Sequence, residues 1–98
     1  MIQIGRFREH YGHDYPSFAE MHTEGDIQGK AKVVAYMKKW PPCCASPGIP
    51  KDAFTGERIP GQDVAYTDGI FLWGIETIYY FEKYNLKLPD SFIARALQ

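Results

Sequence analysis

Long apolar runs are missing from this 98-residue chain: none approaches the roughly 18 residues that a membrane-spanning helix requires. The opening MIQIGRFREH also lacks the apolar stretch of a secretory signal, so the expectation is a cytoplasmic protein without a membrane partner. A charge excess of one sign is missing too. Eleven Lys and Arg against twelve Asp and Glu leave a net charge of −1, far from the basic surplus that phosphate binding demands, so nucleic acid is not an expected partner. Cysteine is scarce. Cys43 and Cys44 are adjacent, with Cα atoms about 3.8 Å apart, below the usual disulfide range of about 4.4 to 6.8 Å. Free thiols in a reducing compartment are expected. Repeats and low-complexity tracts are absent, and the length leaves room for one domain spanning 1–98.

What is present is a globular composition, 45% hydrophobic and 23% charged, which excludes a disordered chain or a coiled coil. The alternation in IQIGRF predicts a first strand with Ile2 and Ile4 facing inward. Ser17 and Glu20 have the S-x-x-E spacing of a capping box and predict a helical turn near 17–22. Asp26 is placed to cap IQGKAKVVAYMKKW, although Gly29 argues that the regular helix begins only there. At 100° per residue Val33, Val34, Tyr36, Met37 and Trp40 share one arc, opposite Gln28, Lys32 and Lys39, and Pro41-Pro42 stop the helix.

Residues 41–61 hold five of the seven prolines and three of the nine glycines. That segment is expected to be irregular, with a short buried strand at Cys43-Cys44-Ala45, a turn at FTGE, and Phe54 or Ile59 tucked onto the core. DVAYT, Asp68-Gly69 and IFLW then predict a β-hairpin over 63–73, because Asp-Gly adopts the positive φ angles of a two-residue turn. Gly74 is placed to open a helix IETIYYFEKY that Asn85 ends, and Pro89 to open a last helix, DSFIARAL. The sum is an α+β domain, a short and mostly antiparallel sheet packed by two to three helices.

Catalytic signatures are sparse. His10, His13, Asp14 and His22 have no diagnostic metal spacing, no serine lies in a G-x-S-x-G elbow, and the glycines cradle no phosphate. No cofactor is expected. An alternative reading is a small metal- or thiol-dependent enzyme built on His10, His13, His22 and Cys43/Cys44. Aromatics are abundant at 15% of the chain, and on the helix after Gly74 the periodicity sets Ile75, Ile78 and Tyr79 on one face, with Glu76, Tyr80 and Tyr84 opposite or flanking. Tyrosine beside carboxylate on an exposed helix is interface composition.

The run YTDG at 66–69, Trp73, IYYFEKYNL at 78–86, and Leu88-Pro89 with Phe92 resembles the ending of a group of small bacterial proteins, many of them immunity-like and associated with polymorphic or contact-dependent growth-inhibition toxins. FTGERIPG at 54–61 extends the resemblance. It implies a protein that is not an enzyme but binds and neutralises a cognate toxin domain. Residues 51–98 carry five basic and seven acidic side chains, a mild bias that would suit a basic nuclease toxin. The expected partner-binding residues are Asp63, Asp68, Trp73, Glu76, Tyr80 and Tyr84. A general adaptor without a toxin partner is the other alternative.

Overall fold

A computed structural model describes residues 2–25, 27–48 and 50–98. Asp26, the expected helix cap, lies outside the described residues. Among them the elements run β1 (Ile2–Gln3), α1 (Arg8–Tyr11), a 3-10 turn (Phe18–Glu20), α2 (Lys30–Lys38), β2 (Cys44–Ala45), β3 (Val64–Thr67), β4 (Phe71–Gly74), α3 (Ile75–Tyr84) and α4 (Asp90–Ala96). The strands form a sheet in the order β1-β4-β3-β2, with β1 parallel to β4 and the other pairs antiparallel. This is the expected single α+β domain, and among the described residues no helix is long and apolar enough to cross a membrane.

The hairpin forms in register, Tyr66 opposite Trp73 and Thr67 opposite Leu72. Only Gly69 takes a positive φ, +98°, and Asp68 serves the turn through its side chain instead: Oδ1 accepts the N–H groups of Ile70 and Phe71 at 3.0 and 2.8 Å. Because side chains alternate across a strand, Phe71 and Trp73 point to one face of the sheet while Leu72 and Gly74 point to the other. Helices α2 and α4 cover the first face. Trp73 stacks edge-on against Phe92 at 5.2 Å and donates from its indole N–H to Met37 O at 3.2 Å.

Helix α2 buries Val33, Val34 and Met37, as its periodicity predicts, and begins at Lys30 because Gly29 adopts φ +73°. Helix α3 buries a different face from the one expected: Thr77, Ile78, Tyr80 and Phe81 are inside. The reason is that α3 is covered on two sides, by α2 and by the segment carrying Phe7 and His10, so its buried arc is wider than one stripe. Asn85 ends it at φ +58°. Pro89 caps α4, which buries Phe92 and Ala96.

Two local expectations are corrected. Ile2 is 56% exposed, because β1 is a two-residue edge strand and only Ile4 reaches the core. The strand at Cys44–Ala45 is exposed, not buried, as it forms the opposite edge of the sheet. Of the two candidates for tucking onto the core, Ile59 does so and is buried, while Phe54 remains 46% exposed, lying over Phe7 and Phe18 without being enclosed. Helix α1 was not expected at all.

Candidate functional site

The face of the sheet opposite α2 and α4 carries Gln3, Leu72, Gly74, Ala65 and Cys44, all of them half-buried or exposed. These residues floor a hollow of about 320 Å³ whose rim is supplied by Arg6, Tyr11, Ser46, Asp63 and Glu76. A second hollow, reaching Arg58 and Gly61, shares Ser46 and Asp63 with the first, so the two form one groove along the β2–β3 side.

Each rim group is placed by local geometry. Glu76 sits in the first turn of α3 and accepts a short hydrogen bond from the Tyr11 hydroxyl on α1. Its carboxylate folds back over Gly74, into the space a Cβ there would occupy. The other carboxylate oxygen, Oε2, is buried and has no hydrogen-bond partner among the described residues. Burial, together with the charge and hydrogen bond of Glu76, pushes the Tyr11 phenol well above its ordinary pKa. The Arg6 guanidinium lies 4.7 Å over the Tyr11 ring and 6.0 Å from that of Tyr15. Asp63 is half-buried and binds Ser46 N–H through its backbone carbonyl at 2.8 Å.

Of the six residues expected at a partner surface, Asp63 and Glu76 are on this rim and the other four serve the fold. Trp73 is 2% exposed and Tyr80 is fully buried, so neither presents its side chain to a partner. The Tyr80 hydroxyl accepts Ala53 N–H at 2.8 Å and meets His10 Nδ1 at 2.7 Å. Asp68 has a side chain without exposure, taking hydrogen bonds from the Tyr36 hydroxyl at 2.6 Å and Arg95 Nε at 2.8 Å. Burial raises its pKa, but the N–H groups of Phe71 and Ile70 with Tyr36 and Arg95 outweigh this and hold it at about 2. Tyr84 donates to Asp52 Oδ2 at 2.6 Å, beside Tyr79 at 2.7 Å.

Asp52 itself was missed. It is 2% exposed, and its Oδ1 accepts Phe54 and Thr55 N–H, so one carboxylate both shapes the 52–56 turn and ties it to α3. Burial opposes its ionisation, yet the bonds from Tyr84, Tyr79, Phe54 and Thr55 take its pKa down to about 2. An Asp two residues before a phenylalanine and four before a glycine is an Asx-turn signal that would have marked it. Arg6 and Tyr11 had weaker signals, though Gly12 at φ +115° after Tyr11 is a helix stop.

The histidines are not gathered. His10 faces Tyr80, His22 pairs with Leu86 across an isolated bridge, and His13 is exposed. Burial lowers the His10 pKa against the raising effects of Glu76, Asp63 and Asp52. Among the described residues no group of three or more His, Cys, Asp or Glu is placed to hold a metal ion. Cys43 and Cys44 are free thiols, as their adjacency predicts, and both are exposed. Comparison with protein-family models, curated proteins and solved structures finds no match to this chain.

Proposed function

We propose that this chain is an immunity-type binding protein, which neutralises a cognate toxin domain by covering it with the open face of its sheet. The observation that carries the reading is the groove on that face, floored by Gln3, Leu72, Gly74, Ala65 and Cys44 and rimmed by Arg6, Asp63 and Glu76. A mixed polar and apolar surface with charged groups at its edge is the composition of a non-obligate protein interface. An interface of standard size takes about 800 Å² from each partner. That is about a seventh of this chain's 5,904 Å², so contact extends from the first hollow along the groove toward Arg58.

The contact residues are therefore Asp63 with Arg6 and Arg58, and not Trp73 or Tyr80, whose side chains the fold consumes, nor the Glu76 carboxylate, which Tyr11 holds at Oε1 and which is buried at Oε2. The test is a tagged pull-down from the native cells at moderate salt, followed by co-expression of the captured protein's domains with this chain. The expected result is one near-stoichiometric protein whose domain arrests growth and is silenced by the wild-type chain but not by Asp63→Arg. A captured protein without toxicity would move the chain to the adaptor class. Neutralisation unaffected by Asp63→Arg and abolished by Lys32→Glu would move the surface to the exposed side of α2.

A further inference from the structure

Adjacent residues of an extended strand send their side chains to opposite faces of the sheet, so neighbouring cysteines on a strand ordinarily hold their sulfurs apart. Here Cys43 sits in a bend immediately before β2, and its Sγ lies 3.7 Å from that of Cys44. Both residues are exposed, and Cys44 also lines the hollow on the open sheet face.

The backbone around the pair is fixed. Cys43 N–H donates to Ala65 O at 2.9 Å and Ser46 N–H donates to Asp63 O at 2.8 Å, so β3 pins the segment on both sides of Cys44. Pro41-Pro42 restrict the chain that leads into it.

Two thiolates bound to one tetrahedral zinc-like ion, at about 2.3 Å each, stand about 3.8 Å apart. The observed 3.7 Å matches that bite without movement of either residue. Disulfide formation is a worse fit, since the sulfurs would have to close to about 2.05 Å across Cα atoms only about 3.8 Å apart. We propose that Cys43 and Cys44 form a bidentate site for a thiophilic divalent cation of the zinc and cadmium class.

Binding displaces one proton from each thiol and leaves two sulfur–metal bonds per chain, with no change of oxidation state. The remaining tetrahedral positions are filled from outside the described residues of one chain, by water, by small anions, or by the same pair on a second copy. Soft sulfur donors select zinc or cadmium over magnesium or calcium.

The experiment titrates the reduced full-length protein with cadmium, reading the thiolate-to-metal absorbance, proton release in weak buffer, and thiol reactivity toward a disulfide reagent. The expected result is saturable binding with two protons released per chain, both thiols protected, and displacement by zinc but not by magnesium. Because a tethered second ligand acts at high effective concentration, Cys43→Ser and Cys44→Ser should each weaken binding by about a hundredfold. Both positions are exposed, so circular dichroism should show intact folds. One ion per chain or one ion per two chains both support the site, since each uses both sulfurs of a chain. Wild-type affinity in either single variant, or a single proton released per chain, would overturn it.

Discussion

The carboxylate of Asp52 offers the most direct test of how this fold is held. It is 2% exposed and receives two phenol hydroxyls from α3 and two backbone N–H groups from its own turn. Those bonds lower its pKa from 3.8 to about 2. A carboxyl lowered by that much contributes about 2 kcal/mol of folding free energy at neutral pH. The sign follows from the direction: with the folded pKa depressed, the contribution is complete above the unfolded value near 3.8 and is lost as pH falls through about 2. Asp52→Asn keeps the shape but removes the charge that Tyr79 and Tyr84 address. Urea unfolding followed by circular dichroism should show a loss of about 2 to 3 kcal/mol at pH 7, shrinking to a few tenths at pH 2. Thermal midpoints at pH 7 should fall by roughly 10 to 20 °C for a domain of this size. Hydrogen exchange should quicken first at 51–59, the loop that the carboxylate ties down. A loss equal at both pH values would refute the argument, because it would make the ionised state irrelevant to the bonds.

Other outcomes follow from the same geometry. Trp73→Ala should cost about 3 to 5 kcal/mol by urea unfolding, whereas an interface anchor would lose partner affinity with little loss of stability. Gly5→Ala places a Cβ against Thr77 Cγ2 at φ +75°, and a loss of about 2 to 4 kcal/mol is expected in the same assay. Tyr80 and Tyr84 are pushed up to about 12, the first chiefly by burial and the second by its hydrogen bond to Asp52. Because their folded pKa values are raised, the stability they contribute is present below pH 10 and is lost as pH rises toward 12; Tyr80→Phe and Tyr84→Phe should flatten that alkaline fall when unfolding is followed across this range.

Most of the fold was legible because its signals are local. The hairpin turn at Gly69, the end of α3 at Asn85 and the end of α2 ahead of Pro41-Pro42 each depend on a residue whose backbone preference is strong. Helix α1 was not legible, being four residues long and without a side-chain cap. The exposure of Ile2 and of Cys44–Ala45 was not legible either. Alternation shows that a strand has two faces, but only the strand order reveals that both lie on sheet edges.

The candidate site was half legible, and the tyrosines show why. Glu76, Tyr80 and Tyr84 were expected on an exposed face because phenol beside carboxylate resembles an interface. The same composition also suits a buried face, provided each hydroxyl finds an internal partner, and here the partners lie about 30 residues upstream in a segment rich in proline and glycine. Tyr79 and Tyr84 reach Asp52, and Tyr80 reaches Ala53 N–H and Lys51 O. The tyrosine-rich helix and the irregular 50–59 loop are thus one unit: the helix supplies hydroxyls that the loop needs in order to be ordered, and the loop shields rings that would otherwise be wet. Asp63 and Glu76 escape this pairing with the loop. They face the groove with Arg6, and that is why charge reversal at Asp63 should alter recognition, whereas changes at Tyr79, Tyr80 or Tyr84 should alter stability first.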